Sequence, residues 1–155
     1  MNKKIIIIGL LGLILFGLSP LWAAAPLVTP LGSYNDSFYC PIRIATDLSG
    51  RMYVSDGRKV SVLSNAGTPI FTLSVPYSGK GLFGVAVDRA GNIYIGSTGV
   101  VKVYDPSGNY LRDLGSGNME FVRPSDIAID SISGLIYVTD SDRNMVFIFN
   151  PDGSL

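Results

Sequence analysis

The chain has 155 residues, of which 47% are hydrophobic and 15% charged, and twelve basic residues balance twelve acidic ones. This balance excludes a polyelectrolyte tail and an obvious nucleic-acid-binding stripe. The sequence has no histidine and a single cysteine, which excludes Ser-His-Asp and Cys-His catalysis, an internal disulfide and a cysteine-rich zinc site. The length suits one domain with a sizeable core.

Residues 1–25 have the layout of a secretory signal peptide. Lys3 and Lys4 precede an uncharged apolar run, and Ala23 to Ala25 supply the small residues of a cleavage site. We therefore predict export to the periplasm or the extracellular space. Loss of the two lysines leaves ten basic and twelve acidic residues, a mature charge of −2. The alternative is an uncleaved segment that anchors the chain in a membrane, since Ile5 to Ala25 carry no charge.

Cys40 is the single cysteine of the chain. A free cysteine commonly behaves as a small buried hydrophobe, and we expect that here. The alternative in an oxidising compartment is an intermolecular disulfide.

The rest of the chain repeats itself with a period of 41 or 42 residues. The repeated unit reads Ile/Val-Ala-x-Asp, then a glycine, then an apolar stretch with a tyrosine. Its three copies place the alanine at Ala45, Ala86 and Ala128 and the tyrosine at Tyr53, Tyr94 and Tyr137. Short stretches rich in Val, Ile, Tyr and Phe between Gly-bearing turns predict β-strands, and four strands per repeat are typical of a propeller blade.

An aspartate follows the first predicted strand of every repeat, at Asp47, Asp88 and Asp130. An aspartate in a turn accepts hydrogen bonds from the turn backbone, and the glycine that follows supplies a positive φ. We therefore predict a structural role for these three aspartates.

The repeats resemble those of the NHL family, whose blades read roughly Pro-x-x-Ile-Ala-x-Asp-x-x-Gly-x-x-Tyr-Val-x-Asp and later Asp-Pro-Asp-Gly. Pro124 to Asp130 and Tyr137 to Gly153 match this pattern closely, whereas Leu82 replaces the opening proline of the second repeat. The Tyr-Val-x-Asp segments are also similar to YWTD-type repeats. The resemblance implies an all-β fold, a six-bladed β-propeller of which this chain contains three blades.

The predicted propeller segment covers residues 26–155. Its blades fall at about 41–73, 82–114 and 124–155, and residues 27–31 form an outer closing strand. Three blades are half of a six-bladed ring. The chain is accordingly a fragment of a longer protein, one half of a homodimer that completes the ring, or the partner of a separately encoded half.

The candidate binding residues lie in the loops that lead into each blade and in the turns between second and third strands, because rigid scaffolds present function on loops. They are Arg43, Arg58, Arg123, Asp126 and Arg143. Together they predict a polar, modestly basic rim that binds an unknown protein or small ligand. Export and the negative mature charge argue against a nucleic-acid partner.

No metal or cofactor is predicted, and the predicted function is a non-enzymatic binding or scaffolding module. Asp140 to Asn144 resemble the start of a calcium loop, but Met145 and Pro151 occupy the positions that require Gly and Glu. The alternative implied by related six-bladed propellers is part of a metal-dependent hydrolase similar to sugar lactonases. Such a site needs an acidic cluster near the axis, and Glu120 is the sole glutamate.

Overall fold

The computed structural model describes Ser33 and residues 38–77, 79–114 and 121–155. The chain divides into the units Met1–Ser33 and Tyr34–Leu155, and all described strands lie in the second unit. The predicted signal peptide (1–25) and closing strand (27–31) lie outside the described residues. Among the described residues, no helix is long and apolar enough to cross a membrane.

Eleven described strands form three antiparallel sheets whose strands are paired in chain order. The first sheet contains β1 (Arg43–Thr46), β2 (Met52–Ser55), β3 (Val60–Leu63) and β4 (Pro69–Leu73). The second contains β5 (Leu82–Val87), β6 (Ile93–Ser97), β7 (Val100–Tyr104) and β8 (Tyr110–Leu114). The third contains β9 (Pro124–Ile129), β10 (Ile136–Asp140) and β11 (Met145–Phe149). The predicted all-β fold with three blades is confirmed.

Two clusters of buried apolar side chains form the core, one in each seam between neighbouring blades. We call the blade face that carries Tyr53, Tyr94 or Tyr137 the Tyr face and the face that carries Ile44, Val85 or Ile127 the Ile face. The first seam buries Tyr53 with Val85 and Ile95, and the second buries Tyr94 with Ile127 and Val138. The Tyr face of one blade thus packs on the Ile face of the next, because side chains alternate between the two faces of a strand.

The innermost strands β1, β5 and β9 are neighbours along the propeller axis. Gly84 of β5 and Gly96 of β6 bring the third blade close to the second. A Cβ added at Gly84 would lie 2.9 Å from Cα of Asp126, and one added at Gly96 would lie 2.4 Å from the carbonyl oxygen of Pro124. Absence of a side chain at these two positions therefore sets the spacing of this seam.

The repeated aspartates close the turns after β1, β5 and β9, which confirms their predicted structural role. Asp47 accepts hydrogen bonds from the backbone amides of Ser49 (2.9 Å) and Arg51 (3.0 Å) and from the Tyr53 hydroxyl (3.0 Å). The Tyr94 hydroxyl makes the corresponding bond to Asp88 at 3.3 Å. Burial, followed by the hydrogen bond to Asp47, raises the pKa of Tyr53 to about 12.

The carboxyl group of Asp47 makes the stability of the fold depend on pH. Burial alone would raise its pKa, but hydrogen bonds from Ser49, Arg51 and Tyr53 outweigh burial and hold the pKa well below its ordinary value. The ionised carboxylate therefore stabilises the fold above the unfolded-state pKa of about 4, and this contribution is lost as the pH falls below that value.

We expect Asp47→Asn to lower the free energy of unfolding at neutral pH by about 1–3 kcal/mol, since a buried carboxylate loses charged hydrogen bonds. Urea titrations measure the difference in free energy of unfolding between the variant and the unmodified chain. This difference should become smaller as the pH falls from about 5 towards 3. Asp105→Asn, in an exposed turn, is the control and should change stability less. A difference that is constant with pH would contradict this assignment.

Candidate functional site

The antiparallel strands place two sets of loops at opposite ends of the blades. We define the upper rim as the loops leading into the blades, the starts of β1, β5 and β9, and the turns between second and third strands. The lower rim comprises the turns after the first and third strands, at residues 47–51, 64–68, 88–92, 105–109, 130–135 and 150–154. The five predicted binding residues all lie on the upper rim.

Arg43 and Asp126 form an ion pair across the start of the innermost strands. Nε of Arg43 lies 3.3 Å from Oδ1 of Asp126, and the two side chains are 42% and 51% exposed. Gly84 occupies the equivalent position of β5, so the pair bridges the first and third blades where the second has no side chain. The pair remains reachable from solvent, as a binding rim requires.

Arg123 lies in a second group of charges, centred on Asp142. The carboxylate of Asp142 is 3.5 Å from Nη1 of Arg123 and 3.7 Å from Nζ of Lys80. The guanidinium of Arg123 also lies over the ring of Phe83, 5.4 Å from its centroid. These contacts join the loops that lead into the second and third blades.

The other two predicted residues, Arg58 and Arg143, are exposed in turns between second and third strands. The guanidinium of Arg58 stacks on the ring of Tyr39, 3.5 Å from the centroid. Neither side chain forms an ion pair with a carboxylate of the described residues. Cys40 lies next to this stack and is exposed. The expectation of a buried cysteine was wrong, because Cys40 lies in the loop before β1 and not in a strand.

Two buried aspartates that the site prediction missed hold the upper rim together. Asp56 accepts the backbone amides of Arg58 (3.0 Å) and Lys59 (2.9 Å), and Asp140 accepts those of Val122 (2.7 Å), Arg123 (3.0 Å) and Arg143 (3.2 Å). Each is 1% exposed. Their signal in the sequence is the last aspartate of Tyr-Val-x-Asp. The carboxylate of Asp140 is occupied by one amide of its own turn and two amides of the loop before the third blade, so the calcium-like segment is a hydrogen-bonded turn.

Charge is divided unevenly between the two rims. Among the described residues, the upper rim carries six cations against four carboxylates, a balance of +2: Arg43, Arg58, Lys59, Lys80, Arg123 and Arg143 against Asp56, Asp126, Asp140 and Asp142. The loops leading into the first and third blades also contain Asp36 and Glu120, which lie outside the described residues. The lower rim carries two cations against five carboxylates, a balance of −3: Arg51 and Arg89 against Asp47, Asp88, Asp105, Asp130 and Asp152. Within the described ranges, an excess of positive charge is therefore found on the upper rim and not on the lower rim.

A cavity of about 490 Å³ opens on the lower rim, at the ends of β1, β5 and β9. Its walls combine apolar and charged side chains: Thr46, Asp47, Leu48, Val87, Asp88, Arg89, Ile129, Ser131 and Ile132. The site prediction missed this cavity. The available signal was the presence of two large apolar residues in turns, since Leu48 and Ile132 are 82% and 94% exposed.

A metal centre would require several carboxylate, imidazole or thiolate ligands close together. Within the described ranges, no three His, Cys, Asp or Glu side chains are grouped in that way. Asp126, one of the predicted binding residues, is paired with Arg43.

Neither a protein-family model nor a curated protein matches the sequence. Among solved structures, the chain is similar to a protein of unknown function from Bacteroides caccae, with 17% identity, a TM-score of 0.54, and coverage of 78% of this chain and 45% of that one. It is also similar to the calcium-binding protein regucalcin from Agrobacterium tumefaciens, with 18% identity, a TM-score of 0.54, and coverage of 70% and 45%. Another similar structure is that of streptogramin B lyase, with 15% identity, a TM-score of 0.48, and coverage of 71% and 40%.

The chain spans less than half the length of each of these three proteins. At such low identities the likeness to the first two structures shows the fold alone. It agrees with the three antiparallel blades, the shared seams and the neighbouring innermost strands described above. The chain is therefore a β-propeller module.

Proposed function

We propose that the chain is an exported, non-enzymatic propeller module with NHL-type blades, whose upper rim binds an acidic segment of a protein. The match of the third blade to the Pro-x-x-Ile-Ala-x-Asp and Tyr-Val-x-Asp pattern supports the NHL assignment. The charged start, apolar run and small-residue site of residues 1–25 support export.

The observation that carries the binding proposal is the +2 charge balance of the described part of the upper rim. Asp56 and Asp140 are buried against backbone amides, so their carboxylates are turned away from a ligand. The exposed guanidinium groups of Arg58 and Arg143 pair with no carboxylate in the described part of the chain. The guanidinium group of arginine presents N–H donors in a fixed arrangement that matches the two oxygens of a carboxylate. Carboxylates of an acidic segment would therefore bind at both positions.

The test measures binding of hexaglutamate to the full chain by calorimetry. At an ionic strength of about 0.1 M, charges interact over roughly 10 Å, which is less than the length of a five-residue strand, about 17 Å. Arg143→Glu takes the charge balance of the described part of the rim from +2 to 0. We expect it to raise the Kd about five- to tenfold, and we expect added salt to weaken binding.

Arg89→Glu is the matched control. Arg89 is also exposed and pairs with no described carboxylate, but it lies on the lower rim. Its reversal should leave the affinity within about twofold, since surface charges more than a Debye length apart are screened. An equal loss of affinity for hexaglutamate in the two variants, or no binding of hexaglutamate by the unmodified chain, would refute the proposal.

A further inference from the structure

The second blade lacks the carboxyl group that the other two blades place at the end of the second strand. The position three residues after the repeated tyrosine is Asp56 in the first blade, Ser97 in the second and Asp140 in the third. The strand pairing supports this equivalence, because Ser97 lies opposite Leu82, the first residue of β5, and Asp140 lies opposite Pro124, the first residue of β9. The second blade thus has a hydroxyl where its neighbours have a carboxyl group.

This replacement leaves the hydroxyl of Ser97 without a partner. In the first and third blades the carboxylate accepts an amide of the loop leading into the blade, from Tyr39 at 3.4 Å and from Val122 at 2.7 Å. In the second blade the equivalent amide, that of Lys80, donates to Oγ1 of Thr98 at 3.1 Å. Ser97 is 1% exposed, and within the described residues its hydroxyl makes no hydrogen bond. A buried hydroxyl without a partner destabilises a fold, so its presence calls for an explanation.

A cavity of about 310 Å³ opens beside Ser97, between the second blade and the segment that follows β4. Part of its wall is the Ile face of the second blade, which carries Ser97, Val100 and Lys102, because opposite residues of paired strands share a face. The other lining residues are Pro76, Tyr77 and Thr98. A cavity of this volume is typical of a site for a small molecule.

The charge of the cavity wall favours an anion. Lys102 is the one charged residue among the described residues that line the cavity. Nζ of Lys102 lies 3.2 Å from Oδ1 of Asp113, and since an ammonium group has three donors, this ion pair leaves donors for a ligand. Tyr77 is 43% exposed and offers the flat apolar surface of its ring. Hydroxyl and ammonium donors beside an aromatic ring match a carboxylate carried on a small organic group.

We propose that this cavity binds a small carboxylic acid, whose carboxylate takes the place that the side chains of Asp56 and Asp140 hold in the neighbouring blades. The bound carboxylate accepts hydrogen bonds from the Ser97 hydroxyl and the Lys102 ammonium group, and the organic part of the acid packs on Tyr77. The inference concerns a separate site and does not depend on binding of an acidic protein segment by the exposed arginines of the upper rim.

The test follows the amide resonances of the full chain by NMR while sodium acetate is added at constant ionic strength. Acetate is a small probe that carries both a carboxylate and an apolar group. We expect saturable shifts at Ser97, Thr98 and Lys102 with a Kd of about 1–10 mM, an affinity within reach of a ligand of so few atoms. Acetamide has a similar shape without the charge and should bind at least about tenfold more weakly.

Ser97→Asp supplies the missing carboxylate from the chain itself and should abolish the acetate-dependent shifts. Ser64→Asp is the matched control, because it makes the same substitution in a lower-rim turn where the second blade already has Asp105. This control should leave the Kd for acetate within about twofold, since the lower rim lies more than a Debye length away. Ser97→Ala removes the donor without filling the cavity and should raise the Kd about three- to tenfold.

Four results would overturn the proposal. They are the absence of saturable shifts in the unmodified chain, shifts spread evenly over both rims, equal affinity for acetate and acetamide, and an unchanged Kd in the Ser97→Ala variant. Saturable binding of acetate that persists in Ser97→Asp would likewise place the ligand elsewhere in the molecule.

Discussion

Replacing Asp140 with alanine should lower the free energy of unfolding by about 3–5 kcal/mol, since three part-buried backbone amides lose a charged acceptor together. The carboxylate, 1% exposed, accepts the amides of Val122, Arg123 and Arg143. Those amides belong to the loop leading into the third blade and to the turn between its second and third strands. The substitution therefore removes the connection between two parts of the upper rim.

Equilibrium unfolding in urea measures this loss, with Asp142→Ala as the control. Asp142 lies two residues further along the same turn, but its side chain is 34% exposed and pairs with Lys80 and Arg123 near the surface. Surface ion pairs contribute at most about 1 kcal/mol, so the control should stay within that range. A comparable decrease in the free energy of unfolding in the two variants would show that Asp140 contributes no more to stability than a surface carboxylate does.

Gly96→Ala should destabilise the fold by about 2–3 kcal/mol, the range seen when extra atoms are forced into a packed core. The new Cβ would lie 2.4 Å from the carbonyl oxygen of Pro124 and 3.2 Å from the backbone nitrogen of Gly84. Backbone atoms cannot rotate away as a flexible side chain can. The third blade must therefore shift, and the seam built by Tyr94, Ile127 and Val138 loses contact.

Thr139→Ala is the control for this prediction, because Thr139 occupies the equivalent position of the third blade and is exposed. Loss of its side chain should change the free energy of unfolding by no more than about 0.5 kcal/mol. The same urea titrations compare the two variants. A Gly96→Ala chain as stable as the unmodified one would mean that the second seam adjusts without cost.

Repetition made most of the fold predictable. Ala45, Ala86 and Ala128 recur at a spacing of 41 or 42 residues. The same strand pattern therefore occurs three times, and each strand assignment in one repeat is supported by the matching segments of the other two. The turn aspartates were predictable for a related reason: Asp47 and Asp88 bond to atoms within six residues along the chain. Interactions of such short range follow from residue type and spacing alone.

The candidate site was less predictable, because its contacts join different blades. The sequence shows that Arg43 and Asp126 occupy equivalent positions, but the 3.3 Å pair between them also requires the gap at Gly84. Most aspartates lie on the surface, so residue type alone does not show that Asp140 is buried. Its partners Val122 and Arg123 lie 18 and 17 residues away along the chain. The lower-rim cavity combines residues from the ends of three strands.

Strand composition, turn chemistry and the number of blades were therefore determined by the sequence itself, since backbone propensity and hydrogen bonding within a turn act over a few residues. The tertiary structure decided which carboxylates are buried and how the charge of the described residues divides between the two rims. These properties depend on how closely one blade packs on the next. That spacing is set by whole faces in contact and by the absence of two side chains, at Gly84 and Gly96.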